Sequence, residues 1–113
     1  MNTFELRLHA KYFDLIKQGT KTIEMRLFDE KRREYQIGDI LIFKKRPEET
    51  EVIKTKIINL HKVNSFQELY NMFDKVKLGY GENEIANPND MQQFYPVEEQ
   101  EKYGVVGIEI ELI

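Results

Sequence analysis

Lys21, Glu24 and Arg26 are the side chains of this sequence best suited to chemistry, and they lie within six residues of one another. They belong to Gly19-Thr20-Lys21-Thr22-Ile23-Glu24-Met25-Arg26-Leu27, which leaves a predicted helix at Gly19 and enters a predicted strand at Thr22. Side chains alternate faces along a strand, so Ile23, Met25 and Leu27 share a core face. Thr22, Glu24 and Arg26 share the other face, with Lys21 just before them. An ammonium, a carboxylate and a guanidinium are thereby gathered at the mouth of a glycine turn.

Each of these groups has more than one use. Lys21 at the rim of a partly apolar cleft is a nucleophile or base if its pKa is lowered, and a phosphate holder if it stays charged. Glu24 serves as general base, as acceptor for the edge of a nucleobase, or as salt-bridge partner of Arg26 or Lys21. Arg26 suits bidentate binding of phosphate or carboxylate, or pairs with Glu24 or Asp29. The basic run Lys31-Arg32-Arg33 follows at once and reads as a solvated loop or as a path for a nucleic-acid backbone. Tyr95 and Tyr103 flank an acidic turn and are candidates for base stacking or for packing.

The elements that must position these groups follow from periodicity. Phe4, Leu6 and Leu8 alternate with polar residues in a first strand. Lys11 to Gln18 reads as a two-turn helix with Tyr12, Phe13, Leu15 and Ile16 on its apolar side, ended by Gly19. Thr22 to Leu27 is the second strand, and Phe28 to Ile37 a charged loop closed by the Gly38-Asp39 turn. Ile40 to Phe43 is apolar on both faces, and Val52 to Leu60, continuing to Asn64, is rich in β-branched residues. Ser65 and Glu68 form a capping box ahead of the helical stripe Phe66, Leu69, Tyr70 and Phe73. Lys77 to Glu84 reads as a glycine-punctuated loop. Asn87-Pro88 starts a short helix with Met91, Phe94 and Tyr95 inward. Glu98 to Lys102 is an acidic turn before a final strand in which Val106, Ile108, Ile110 and Leu112 alternate with Val105, Gly107, Glu109 and Glu111.

The chain of 113 residues suits one domain, residues 1–113, of class α+β, mainly β: a small, partly open barrel flanked by helices. It contains no cysteine and only two histidines, His9 and His61, so no disulfide, thiolate zinc site or metal-ligand spacing is expected, nor any cofactor. His9 and His61 stay outside the expected site. The N-terminus lacks the pattern of a signal peptide, and no apolar run approaches the ~20 residues of a membrane helix. A cytoplasmic protein without membrane contact is the expectation. The net charge of −3 conceals an asymmetry: residues 11–46 sum to +4 and residues 65–113 to −7. A basic region of this kind can hold an anionic partner locally.

The pattern Tyr12-Phe13-x-x-Ile16-x-x-Gly19-x-Lys21-Thr22-x-Glu24-x-Arg26-Leu27, followed by Asp29, Arg32 and Gly38-Asp39, closely resembles the ASCH domain family of the PUA-like superfamily. So does the closing Glu101-Lys102-Tyr103-Gly104-Val105. The resemblance spans essentially the whole chain. It implies a PUA-like pseudo-barrel of about five to six mixed strands with two to four helices, and a cleft beneath the Lys-Glu-Arg strand. It implies RNA, nucleoside or nucleotide ligands. Some relatives are small amidohydrolases acting on N4-acetylcytidine, and others are ribonucleases. In the amidohydrolase type the lysine matching Lys21 is the nucleophile, a threonine stands where this chain has Glu24, and a later glutamate completes the set. Asp74, Glu82 and Glu84 lie in the region of that third group. The expectation is therefore an RNA- or modified-nucleotide-binding domain, with Lys21 and Glu24 at the centre and Thr22, Arg26, Lys31, Arg32, Arg33, Tyr95 and Tyr103 as ligand contacts. The alternative is a small nucleoside or RNA hydrolase using Lys21 and Glu24.

Overall fold

A computed structural model describes all residues from Met1 to Ile113. Five strands form one mixed sheet in the order β1-β3-β4-β5-β2. They are β1 (Thr3–Leu8), β2 (Ile23–Leu27), β3 (Ile40–Lys45), β4 (Val52–Val63) and β5 (Val105–Leu112). Only β1 and β3 run parallel; every other pairing is antiparallel. The sheet curls into a half-barrel, mainly β, with α1 (Ala10–Gln18), α2 (Phe66–Met72), α3 (Lys75–Leu78), α4 (Val97–Tyr103) and two 3-10 turns around it.

Two apolar clusters hold the sheet. The first fills the half-barrel with Leu6, Leu8, Phe13, Ile16, Leu41, Phe43, Ile57, Val106, Ile108 and Ile110. The second lies beneath α2 and α3, where Phe66, Leu69 and Leu78 meet Ile23, Met25, Leu27 and Val105. Burying each such side chain stabilises the fold by about 1.5–3 kcal/mol. Strand β5 is sandwiched between the clusters, so burial is continuous over Val105–Ile108 despite the alternating sequence, while Leu112 beyond the sandwich is exposed. At Gly107 a Cβ would come within 2.8 Å of Leu69, so β5 needs a glycine there to let α2 approach.

The local signals work through identifiable bonds. Gly19 ends α1 in the left-handed region (φ 87°). Ser65 Oγ accepts from Glu68 N (3.3 Å), while Glu68 Oε2 accepts from Asn64 N, one residue earlier than in a standard capping box. Buried Asp39 accepts from Asn2 N (3.0 Å) and Gln36 N (2.9 Å), which ties the start of β1 to the turn before β3.

β4 is a strand as expected, with a register shift against β5 between Ile57 and Asn59. Three expectations need correction. The glycine-punctuated stretch expected as loop from Lys77 begins inside a helix, Lys75–Leu78, capped by the Asp74 carboxylate at Val76 N (3.3 Å). Residues 88–93 wind as a 3-10 turn that ends at Phe94, so an α-helical stripe does not continue to that ring: Phe94 is 53% exposed and not inward. The polar face of β2 is not a surface either, because Glu24 is as buried as its apolar neighbours.

Candidate functional site

The barrel fails to close between its two edge strands, β1 and β2. Arg26 on β2 reaches across, its Nη2 donating a long hydrogen bond to the Arg7 carbonyl on β1 (3.5 Å). A cavity of about 700 Å³ occupies this seam. Its floor is Lys21, Glu24, Met25 and Arg26; Tyr12, Tyr70, Tyr80 and Tyr95 supply aromatic wall; Arg7, Lys11, Arg46, Glu84 and Phe94 are at its edges. The volume is within the ~300–1,000 Å³ range of small-ligand pockets.

Lys21 and Glu24 are only 4% and 5% exposed. Lys21 Nζ donates to Ile23 O (2.7 Å) and Leu78 O (2.9 Å), and lies 3.3 Å from Glu24 Oε1. Two of the ammonium hydrogens thus go to backbone carbonyls, and the Glu24 carboxylate pairs with the charge. Burial pulls its pKa below the ordinary lysine value, and the Glu24 carboxylate offsets part of that pull. α3 is what brings the Leu78 carbonyl to Lys21. The left-handed Gly79 that ends α3 leaves room for the lysine stem.

Glu24 is held from both ends. Its Oε2 accepts from Arg26 Nε (2.9 Å) and faces Arg26 Nη2 at 2.8 Å, while Oε1 faces Lys21. Burial by itself would raise the Glu24 pKa, but the charges of Arg26 and Lys21 outweigh it and hold the carboxyl below its usual range. The three groups form a buried chain of alternating sign, with one positive charge in excess. Arg26 Nη1 makes no bond within the protein.

The walls are ordered by hydrogen bonds. The Tyr70 and Tyr80 hydroxyls are 2.7 Å apart, and Tyr80 donates to Asp90 Oδ2 (2.8 Å). Burial, then these bonds, push the Tyr80 pKa well up, so the hydroxyl stays protonated. Tyr95 stacks on Phe66 with ring centroids 5.8 Å apart and an 18° interplanar angle. Burial raises its pKa as well.

Of the residues singled out from the sequence, Lys21, Glu24, Arg26 and Tyr95 meet in the cavity. Thr22 does not line it; its backbone bonds Lys77 O and Ile110 N. Lys31 and Tyr103 line a separate, shallower groove with Asp29, Glu30 and Glu34. Arg32 and Arg33 line neither: Arg32 pairs with Asp29 (3.4 Å), and Arg33 lies over the Phe28 ring at 4.3 Å and donates to Tyr103 O. Among the later carboxylates, Asp74 is a helix cap, Glu82 is off the cavity, and Glu84 lines it while paired with Lys11 (3.3 Å). His9, set aside in the sequence, both caps α1 and lines the cavity. Arg7, Tyr12, Arg46, Tyr80, Asp90 and Phe94 are cavity residues the sequence reading missed. They come from five separate segments, and only the spacing of Tyr12 ahead of the Lys21 motif gave a signal.

A half-barrel with a lined cavity in its open seam defines a PUA-like protein. The ASCH domain profile matches residues 6–113, and the chain belongs to the ASCH domain family. Its structure is similar to the crystal structure of hypothetical protein PH0355, with 36% identity, a TM-score of 0.82 and full coverage of both chains. It is also similar to the solution structure of protein PF0455 from Pyrococcus furiosus, with 34% identity, a TM-score of 0.76 and coverage of 98% of this chain and 97% of that one. A 38-residue segment is 53% identical to an uncharacterized 12.9 kDa protein in the GpA 3' region of Escherichia phage P2; the match spans 34% of this chain and 32% of the phage protein. No helix is long and apolar enough to cross a membrane.

Proposed function

We propose that the seam cavity binds a nucleoside-sized, base-containing ligand, a modified nucleotide or an unstacked residue of RNA. The observation that carries this reading is the meeting of a buried Lys21–Glu24–Arg26 chain with four tyrosines around one cavity. Aromatic rings offer faces to a base, and stacking of this kind contributes about 1–3 kcal/mol per base. Glu24, held ionised, can accept from an exocyclic amino group, and Arg26 Nη1 is free to donate to a carbonyl or phosphate oxygen. Binding is favoured over turnover because the Lys21 ammonium is tied to two backbone carbonyls and to the Glu24 carboxylate and so serves as a fixed charge.

The test is calorimetric titration of the purified protein with ribonucleosides, N4-acetylcytidine and short single-stranded RNAs. Saturable binding that weakens in Tyr95→Ala and Arg26→Gln is the expected result. Failure of every such ligand to bind would overturn the reading.

The second reading is hydrolysis of an amide or phosphodiester bond, and burial of Lys21, which lowers its pKa, favours it. Lys21 would attack or activate, with Glu24 moving the proton. It requires product from N4-acetylcytidine or RNA that disappears in Lys21→Ala; a ligand bound but recovered intact leaves the binding reading standing alone.

A further inference from the structure

We propose that the cavity mouth contains a phosphate-holding subsite built on Arg46, with Arg7 beside it, so that the ligand is phosphorylated and not a free nucleoside. This rests on the reading of the cavity as a base site. Strands β1 and β3 are parallel neighbours with Leu8 opposite Lys45. Arg46 N continues the pairing with a bond to Leu8 O (2.9 Å), so the chain leaving β3 delivers Arg46 to the end of β1. Glu49 N closes the following turn on Lys45 O (2.8 Å), and Glu49 Oε1 takes Arg7 Nε at 2.7 Å. Both arginines line the cavity.

The charge pairing singles out Arg46. Every other lysine and arginine of the lining has a carboxylate within reach: Arg7 has Glu49, Lys11 has Glu84, and Lys21 and Arg26 share Glu24. The lining carboxylates are engaged as well. Glu24 is held by two cations, Glu84 accepts from Gly81 N (2.8 Å), and Asp90 accepts from Tyr80. Arg46 is exposed and makes no ion pair or side-chain bond within the protein. A concave site focuses the field of such a charge, and a planar guanidinium presents two donors to two phosphate oxygens. Arg7 keeps its Nη groups for the same anion. The basic run Lys31-Arg32-Arg33 does not fill this role, because none of it reaches the cavity.

The phosphate can be that of a free mononucleotide or of a phosphodiester in a strand. The experiment compares, by calorimetry at low salt, the common ribonucleosides and N4-acetylcytidine with their 5′-monophosphates and with tetranucleotides lacking terminal phosphates. A phosphorylated form is expected to bind about tenfold tighter than its nucleoside, the worth of one charge-assisted contact. Arg46→Gln should bring that ratio close to one, while Lys54→Gln, an exposed charge away from the cavity, should leave it as in the parent protein. A gain confined to the tetranucleotides identifies a strand, and a gain in the monophosphates a free nucleotide; both support the subsite. Equal affinity for nucleoside and phosphorylated forms, or a gain that persists in Arg46→Gln, overturns the subsite and leaves the base-binding reading intact. Binding of none of these probes overturns both.

Discussion

Gly79 and Lys21 pack so closely that a Cβ on the glycine would stand 3.1 Å from Lys21 Cδ and 3.4 Å from Nζ. The lysine cannot step aside without losing the Leu78 and Ile23 carbonyls. A backbone position 58 residues from the lysine in sequence thus sets where the buried ammonium sits.

Gly79→Ala carries two penalties, and Gly19→Ala carries one. Both glycines are left-handed, but a Cβ at Gly19 meets nothing within 4 Å. Gly19→Ala should cost about 1–2 kcal/mol from the backbone alone. Gly79→Ala should cost measurably more in urea unfolding and also weaken ligand binding. Equal costs would mean that the contact with Lys21 is relaxed freely.

Lys21 joins three buried acceptors, and removing it leaves each of them short of a donor. Lys21→Met leaves two carbonyls and Glu24 without the ammonium, and should destabilise by about 3 kcal/mol. Combining it with Glu24→Gln should cost less than the sum of the single changes, because the two sites share one interaction. Strict additivity in denaturant unfolding would show that the 3.3 Å contact carries no coupling.

Acid should unfold the parent protein more steeply than Glu24→Gln. The folded pKa of Glu24 lies below its ordinary value of 4.5 because Arg26 and Lys21 outweigh the opposing effect of burial. A carboxylate of that kind contributes stability above its unfolded pKa and loses it as the pH falls through the folded pKa. Urea midpoints followed from neutral pH downward should therefore diverge in slope below about pH 4.5. Parallel profiles would place the acid sensitivity elsewhere.

Phe94 offers the cleanest separation of binding from stability. Its ring is at the cavity edge and more than half exposed. Phe94→Ala should change unfolding by no more than about 0.5 kcal/mol. If the ring stacks on a base, the same change weakens nucleotide or RNA binding by about 1–3 kcal/mol. Unchanged affinity would remove Phe94 from the interface.

The sequence alone determined what depends on neighbours along the chain. Alternation in β1, the glycine that ends α1, the Ser65–Glu68 cap and the Lys21–Glu24–Arg26 spacing are local properties, and local dihedral and hydrogen-bond preferences enforce them. The family pattern was legible for the same reason, since most of it lies between Tyr12 and Asp39, with a short second signature at Glu101–Val105. Tertiary structure decided which surfaces exist. Strand periodicity tells that Glu24 and Ile23 point opposite ways, but not that both are buried; that follows from the second apolar cluster covering Ile23 while Lys21, Arg26 and the residues around the seam cavity enclose Glu24. Nor does it tell that Arg7, Arg46, Tyr80 and Phe94 converge, because their meeting depends on a parallel pairing of β1 with β3 and on an open seam between β1 and β2. Arg32 makes the same point in reverse: its basic run looked like a binding surface, yet packing turned it toward Asp29 and away from the cavity.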